Sequence, residues 1–232
     1  MAARITDYVE GGHNKDSGFG DPDHPINLPS FNTGDLVLCF MRFMDDSGAW
    51  PGTPPTGWST LDAEETWNMW DWIGYRQITG SEGYVGDGSD TIIYELADCY
   101  SAYMTVTVTG HDRTSPPLGS LSPYVSEAGN KWPDPPNVAF IEPGEHLVIA
   151  TCFMSISDLP VLYPSNYDDD QHTFIRSVGF GDQAQSIASR LVDGSSENPG
   201  VFTLPYQSAW TPGTVAIASQ RNIGGGFGAF GL

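Results

Sequence analysis

The chain has 232 residues, of which 39% are hydrophobic and 12% aromatic, enough apolar material for a packed core and too much for a disordered polymer. Twenty-nine acidic residues against nine basic ones leave a net charge of −20. Such a surface repels nucleic acid and anionic lipid, both of which are bound through clustered Lys and Arg.

No apolar run reaches the roughly 20 residues of a membrane-spanning helix. Residues 1–10 lack the apolar stretch of a signal peptide and already carry Asp7 and Glu10. We therefore expect a protein made and kept in a reducing compartment, or released from it by lysis. Cys39, Cys99 and Cys152 are odd in number and lie within apolar runs. They read as buried small hydrophobes, and without a Cys-x-x-Cys spacing no thiolate zinc site is expected.

Residues 1–33 read as a short strand at 5–9 followed by a contact loop rich in Gly, Asp, His and Pro. Residues 36–44 form a strand apolar on both faces, hence a central one. A Pro-rich connection leads to a short strand at 58–62, a long one at 66–79, and two more at 91–96 and 103–109. The last alternates Met104, Val106 and Val108 with Thr105, Thr107 and Thr109, the pattern of a half-buried strand. A linker at 110–143 contains Pro116, Pro117, Pro123, Pro133, Pro135 and Pro136, which forbid a central strand there. Strands follow at 146–155, near 162, and at 172–178, 183–192, 201–204 and 214–220. Residues 221–232 form a Gly-rich tail bearing Phe227, Phe230 and Leu232 as apolar anchors. No helical period is sustained anywhere.

The order of landmarks repeats. Gly34-Asp35 and Leu36-Val37-Leu38 match Gly144-Glu145 and Leu147-Val148-Ile149. Cys39-Phe40-Met41 matches Cys152-Phe153-Met154. Pro55-Thr56-Gly57-Trp58 matches Pro164-Ser165-Asn166-Tyr167. Arg76 with Ser81-Glu82 matches Arg190 with Ser196-Glu197. Two copies of one β unit, 34–109 and 144–220, facing each other across a core, would explain this. The expected fold is all-β: a single jelly-roll-like β-sandwich over 34–220, made of two similar four-stranded halves.

No catalytic motif stands out, so no enzyme is expected. The five histidines are not spaced as metal pairs and read as surface residues. Asp168, Asp169 and Asp170 form the best cation candidate, of the oxygen type calcium prefers. Glu64, Glu65 and Glu82 are available as carboxylates, but nothing in their spacing selects them. The sharpest local feature is 67–75. In a strand, Trp70 and Trp72 share one face, and alignment of Arg76 with Arg190 sets Ala184 and Ser186 against them. The repeated core does not require that face. It is left for the Pro-rich loops, a neighbouring subunit, or a glycan stacked on the two rings, with Trp50 as a further platform residue.

Gly-Asp-Leu-Val-Leu at 34–38, Pro-Thr-Gly-Trp at 55–58 and Tyr-Arg-x-x-Thr-Gly-Ser-Glu at 75–82 resemble a group of bacteriophage and prophage β-sandwich virion proteins. The resemblance covers about residues 30–220. It implies a virion location, as a capsid decoration or tail component without catalysis or cofactor. Partners would be other capsid or tail subunits and copies of the same chain. The contacts would come from Trp70, Trp72 and Trp50 and from the tail anchors Phe227, Phe230 and Leu232. The alternative is a phage tail or receptor-binding component that holds host glycan with exposed tryptophans.

Overall fold

A computed structural model describes residues 1–13, 23–44, 54–66, 68–95, 99–126, 131–155, 161–178 and 181–221. Trp50, Phe227, Phe230 and Leu232 lie outside the described residues.

The described chain is all-β. Its strands are β1 (Arg4–His13), β2 (Asp23–Asn27), β3 (Leu36–Met44), β4 (Ser59–Glu65), β5 (Met69–Gln77) and β6 (Thr91–Glu95). They continue as β7 (Tyr100–Thr109), β8 (Leu118–Leu121), β9 (Val138–Met154), β10 (Asp169–Val178), β11 (Gly181–Glu197) and β12 (Trp210–Ala218). The first sheet has the order β1-β7-β3-β5-β4 and the second β8-β12-β9-β11-β10, with every neighbour antiparallel. Counted in chain order within each sheet, both read 1-5-2-4-3.

Each sheet has five strands rather than the expected four. β1 and β8 each precede their unit and add to the β7 and β12 edges. The chain passes between the two sheets once, from β7 to β8, and each sheet is built from one half of it. A jelly roll draws its sheets from both halves; here each half forms one sheet and the two pack face to face as a β-sandwich.

Matched positions can be compared in register. Val37 stands opposite Arg76, and Val148 opposite Arg190. The turns at 55–58 and 164–167 close alike, Trp58 N–H on Pro55 O at 3.0 Å and Tyr167 N–H on Pro164 O at 3.2 Å. Their third residues, Gly57 and Asn166, have φ of 80° and 67°, a region that Gly and Asn tolerate. The Cys-Phe-Met runs do not share that register. Cys39 lies two residues after Val37 and Cys152 four after Val148. A two-residue offset preserves the face, so Phe40 and Phe153 both point between the sheets.

The central core lies between the sheets and includes Leu38, Phe40, Ile73, Met104 and Val106 against Ile149, Phe153, Ile187 and Val215. Both outer faces are buried as well. The β2–β6 ribbon covers the first sheet, and irregular segments around Val161, Phe202 and Leu204, with Val138 and Phe140 from the start of β9, cover the second. This is why β3 is apolar on both faces.

β7 is buried on both faces rather than half-buried. Thr105 Oγ–H donates to Asn27 O at 2.8 Å and Thr107 Oγ–H to Ser30 O at 2.9 Å, so the threonines hold down the segment that covers them. β12 starts at Trp210 despite Pro212. The Pro212 carbonyl accepts Ser122 N–H at 2.8 Å. In an antiparallel strand the missing N–H faces that same outer side, so the pairing with β9 is unbroken. Residues 201–204, expected as a strand, form an isolated bridge at Leu162–Thr203 instead of a strand.

Candidate functional site

The Trp70/Trp72 face turns away from the opposite sheet, but it is not open. Trp72 is 0% exposed and Trp70 is half-buried. Ile26, Leu28, Ile92 and Tyr94 close over them, joined by Trp58. The Trp70 ring stacks on Phe43 at 5.1 Å, and Tyr94 meets Trp72 edge-on at 5.3 Å. Trp72 Nε1–H donates to Thr60 Oγ1 at 3.0 Å. A Cβ on Gly74 would stand 2.1 Å from the Trp72 ring, so the strand needs glycine there. As a contact residue Trp72 is therefore corrected: its ring is core, sealed by a β-ribbon rather than by Pro-rich loops.

Asp168, Asp169 and Asp170 line a groove of about 450 Å³ together with Arg4, Ser189 and Leu191. Asp170 has a φ of 46°, and its Oδ2 accepts Ser189 Oγ–H at 3.1 Å. Among the described residues no group of three or more His, Cys, Asp or Glu side chains is arranged to hold a metal ion. The three aspartates do not converge as a calcium site requires.

The histidines are not all on the surface. His24, His111 and His146 are buried. His146 stacks on Phe140 at 3.9 Å, and its Nδ1 lies 2.9 Å from Gly144 O. His111 Nε2 lies 2.7 Å from Gln77 Oε1, and burial together with Arg113 moves its pKa down. His24 stands between Cys99 Sγ, at 3.8 Å, and Ser101 Oγ, at 3.0 Å. Spacing along the chain does not reveal the partners of His24 and His111, which lie far away in sequence. The thiol–imidazole–hydroxyl set resembles an activated nucleophile. Its members are 0–2% exposed, so it is closed to substrate in this structure and instead fastens β2 onto β7.

The carboxylates serve as ties. Asp62 Oδ2 accepts Leu121 N–H at 2.7 Å and Glu64 Oε1 accepts Tyr124 N–H at 3.3 Å, which joins β4 to the segment around β8. Glu82 caps a turn. Burial opposes its charge, but the Thr79 hydroxyl and the Thr79 and Gly80 N–H groups outweigh it and hold the pKa down at about 2. Between the sheets lies an ion pair that spacing alone did not bring out. Arg42 Nε and Nη2 donate to Asp71 at 2.6 and 2.7 Å, with both side chains at most 2% exposed. Gln183 and Gln185 lie buried in the same inter-sheet space.

One open apolar surface lies on the outer cover of the second sheet. Phe202 N–H bonds to Pro133 O and Leu204 N–H to Lys131 O, both at 2.8 Å, and Leu162 and Thr203 exchange bonds at 2.9 and 2.8 Å. Three segments thus run side by side. Val161, Phe202 and Leu204 point inward, while Leu162, Val201 and Trp132 point outward at 61%, 42% and 49% exposure. The single Trp in the Pro-rich linker was the sequence signal for this surface.

No family model, no curated protein and no solved structure matches the chain.

Proposed function

We propose that the protein is a non-enzymatic virion structural protein, a capsid decoration protein of a tailed bacteriophage that binds neighbouring virion subunits and copies of itself. The observation that carries this reading is the outward-facing Trp132, Leu162 and Val201 on adjacent segments of a rigid sandwich. Aromatic and aliphatic side chains displayed together on a polar protein mark a protein contact. The resemblance of 34–38, 55–58 and 75–82 to phage virion proteins supports the virion setting, and the charge of −20 suits a face turned away from packaged DNA.

A tail or receptor-binding role with a glycan platform is the competing reading. It needs a bare ring face. Lys131 Nζ stands 5.6 Å from the Trp132 centroid, and Trp72 is buried, which favours protein over sugar.

The test uses the double variant Trp132→Ser/Leu162→Ser, both side chains being exposed. Its melting temperature and far-UV circular dichroism should match the unsubstituted chain. Mass spectrometry of particles purified from the encoding strain should find the unsubstituted chain present and the variant depleted. Absence of the unsubstituted chain from particles overturns the reading. Glycan-array binding that Trp132→Ser abolishes favours the receptor alternative.

A further inference from the structure

Beside the apolar cover, the outer face of the second sheet carries a groove of about 820 Å³. That volume falls within the roughly 300–1,000 Å³ of sites that enclose small ligands. Ala216 and Ala218 of β12 and His146 of β9 line its base, and their small or flat side chains leave the space open. Leu118 belongs to the β8 side and Ile141 to the β9 side, Ile141 being 73% exposed.

Its charges are unequal. Asp112, Glu142 and Glu145 line the groove, together with Arg221 and the Met1 amino group. Arg221 is paired with Glu142. The Met1 amino group donates to Gln220 O at 3.0 Å. Asp112 accepts from the Thr114 hydroxyl and N–H at 2.7 and 2.9 Å, which holds its carboxyl below the ordinary carboxylate range. Glu145 is exposed and carries no ion pair among the described residues. A guest in this groove meets apolar side chains below and an uncompensated carboxylate at the edge, within the field of a strongly anionic protein.

We infer that the groove docks a segment of a different, basic protein that presents a Lys or Arg beside an apolar side chain. The cation would lie against Glu145 and the apolar group against Ala218 and Ile141. Charge complementarity chooses this occupant over a second copy. The chain has nine Lys and Arg against 29 Asp and Glu, so a second copy would bring a net charge of −20 to an acidic groove. Arg42, Arg76 and Arg190 are already paired with Asp71, Glu82 and Glu197, and Arg221 is within the groove itself. The inference rests on the assembly reading and names the chemistry of the partner.

The probe is a fluorescein-labelled Val-Arg-Val-Arg-Val peptide, titrated onto the full chain and followed by anisotropy. Saturable binding is expected that weakens as salt rises from low to physiological. Glu145→Lys should weaken it about tenfold or more, and Ile141→Ser about threefold. The exposed Glu65→Lys, an equal charge change on the first sheet, should alter it by less than about twofold. Equal losses from Glu65→Lys and Glu145→Lys overturn the inference, because attraction is then diffuse. It is also overturned if a Ser-Arg-Ser-Arg-Ser peptide or spermidine binds as tightly, since the apolar base then adds nothing. Unchanged melting temperatures for the three variants confirm that each is read on folded protein. Peptide binding by a chain absent from purified particles supports the groove and overturns the assembly reading. Loss of Glu145→Lys from particles with peptide binding intact overturns the groove alone.

Discussion

The two sheets use their strands in the same order and differ in what lies on their outer faces. On the first sheet the outer face is a bed of large rings, Phe43, Trp58, Trp70 and Trp72, and a regular ribbon seals it, pairing Ile26 with Ile92. On the second, Ala150, Ala184, Ala188, Ala216 and Cys152 form a low bed, and irregular backbone can lie close against it. A ribbon alternates strictly and turns its apolar side inward. The irregular cover alternates only locally, so Trp132, Leu162 and Val201 are left outward. The ribbon closes over the first sheet's large rings, while the second sheet's cover turns a Trp and two aliphatic side chains outward together.

The same contrast recurs at the matched acids. Glu82 accepts backbone N–H groups of its own turn, whereas Glu197 accepts from Arg190 at 3.2 Å and from Tyr167 Oη–H at 3.3 Å. Both acids meet the arginine of their own unit, but only Glu82 also gathers backbone N–H groups.

Substitutions can break this comparison. The largest expected effects belong to the closed side and the inter-sheet space. Trp72→Ala should lower stability by about 3–5 kcal/mol in denaturant melts, because it opens a cavity beneath the ribbon. A cost under about 1 kcal/mol would mean that the ribbon does not depend on the ring. Asp71→Ala should cost about 3–5 kcal/mol, since Arg42 keeps its charge in a buried site without its carboxylate. Thr107→Val is a smaller cut. It removes the hydroxyl bond to Ser30 O and should cost about 1 kcal/mol, with faster hydrogen exchange along β2.

The pH dependence follows from Glu82, whose folded pKa is held at about 2 against an ordinary 4.5. A depressed carboxyl stabilises fully above the unfolded value. Its contribution is therefore present above pH 4.5 and is lost as pH falls from 4.5 toward 2. Glu82→Gln should flatten the acid limb of the stability curve in that window, and an unchanged slope would show that the turn does not hold its charge. The smallest stability effect is expected on the open side. Leu162→Ser should change stability by less than about 0.5 kcal/mol, since exposed positions tolerate change, and should act on particle incorporation instead.

Legibility in the sequence varied by element. β3 was expected at 36–44 and is found there, because a run apolar on both faces and broken only by Arg42 reads as a central strand. β2 was read as loop. Asp23-His24-Pro25-Ile26-Asn27 has little local strand signal, and its pairing with β6 lies far along the chain. Alternation along β5 correctly put Trp70 and Trp72 on one face and Ile73 on the other. It could not tell what covers that face. Trp132 was legible only as a lone Trp among prolines, and its exposure came from the hydrogen bonds of 131–133 to 202–204.

By itself the sequence determined the all-β class, the acidic surface, the central strands and the side of the strand on which each residue falls. These follow from composition and a period of two, which are local. The tertiary structure decided which of those faces meets water. That depends on contacts between residues distant in the chain: Ile26 with Ile92, Arg42 with Asp71, and Leu162 with Thr203. Burial is a property of the assembled layers, so a tryptophan marked for display became core, and an unmarked one in the linker came to face outward.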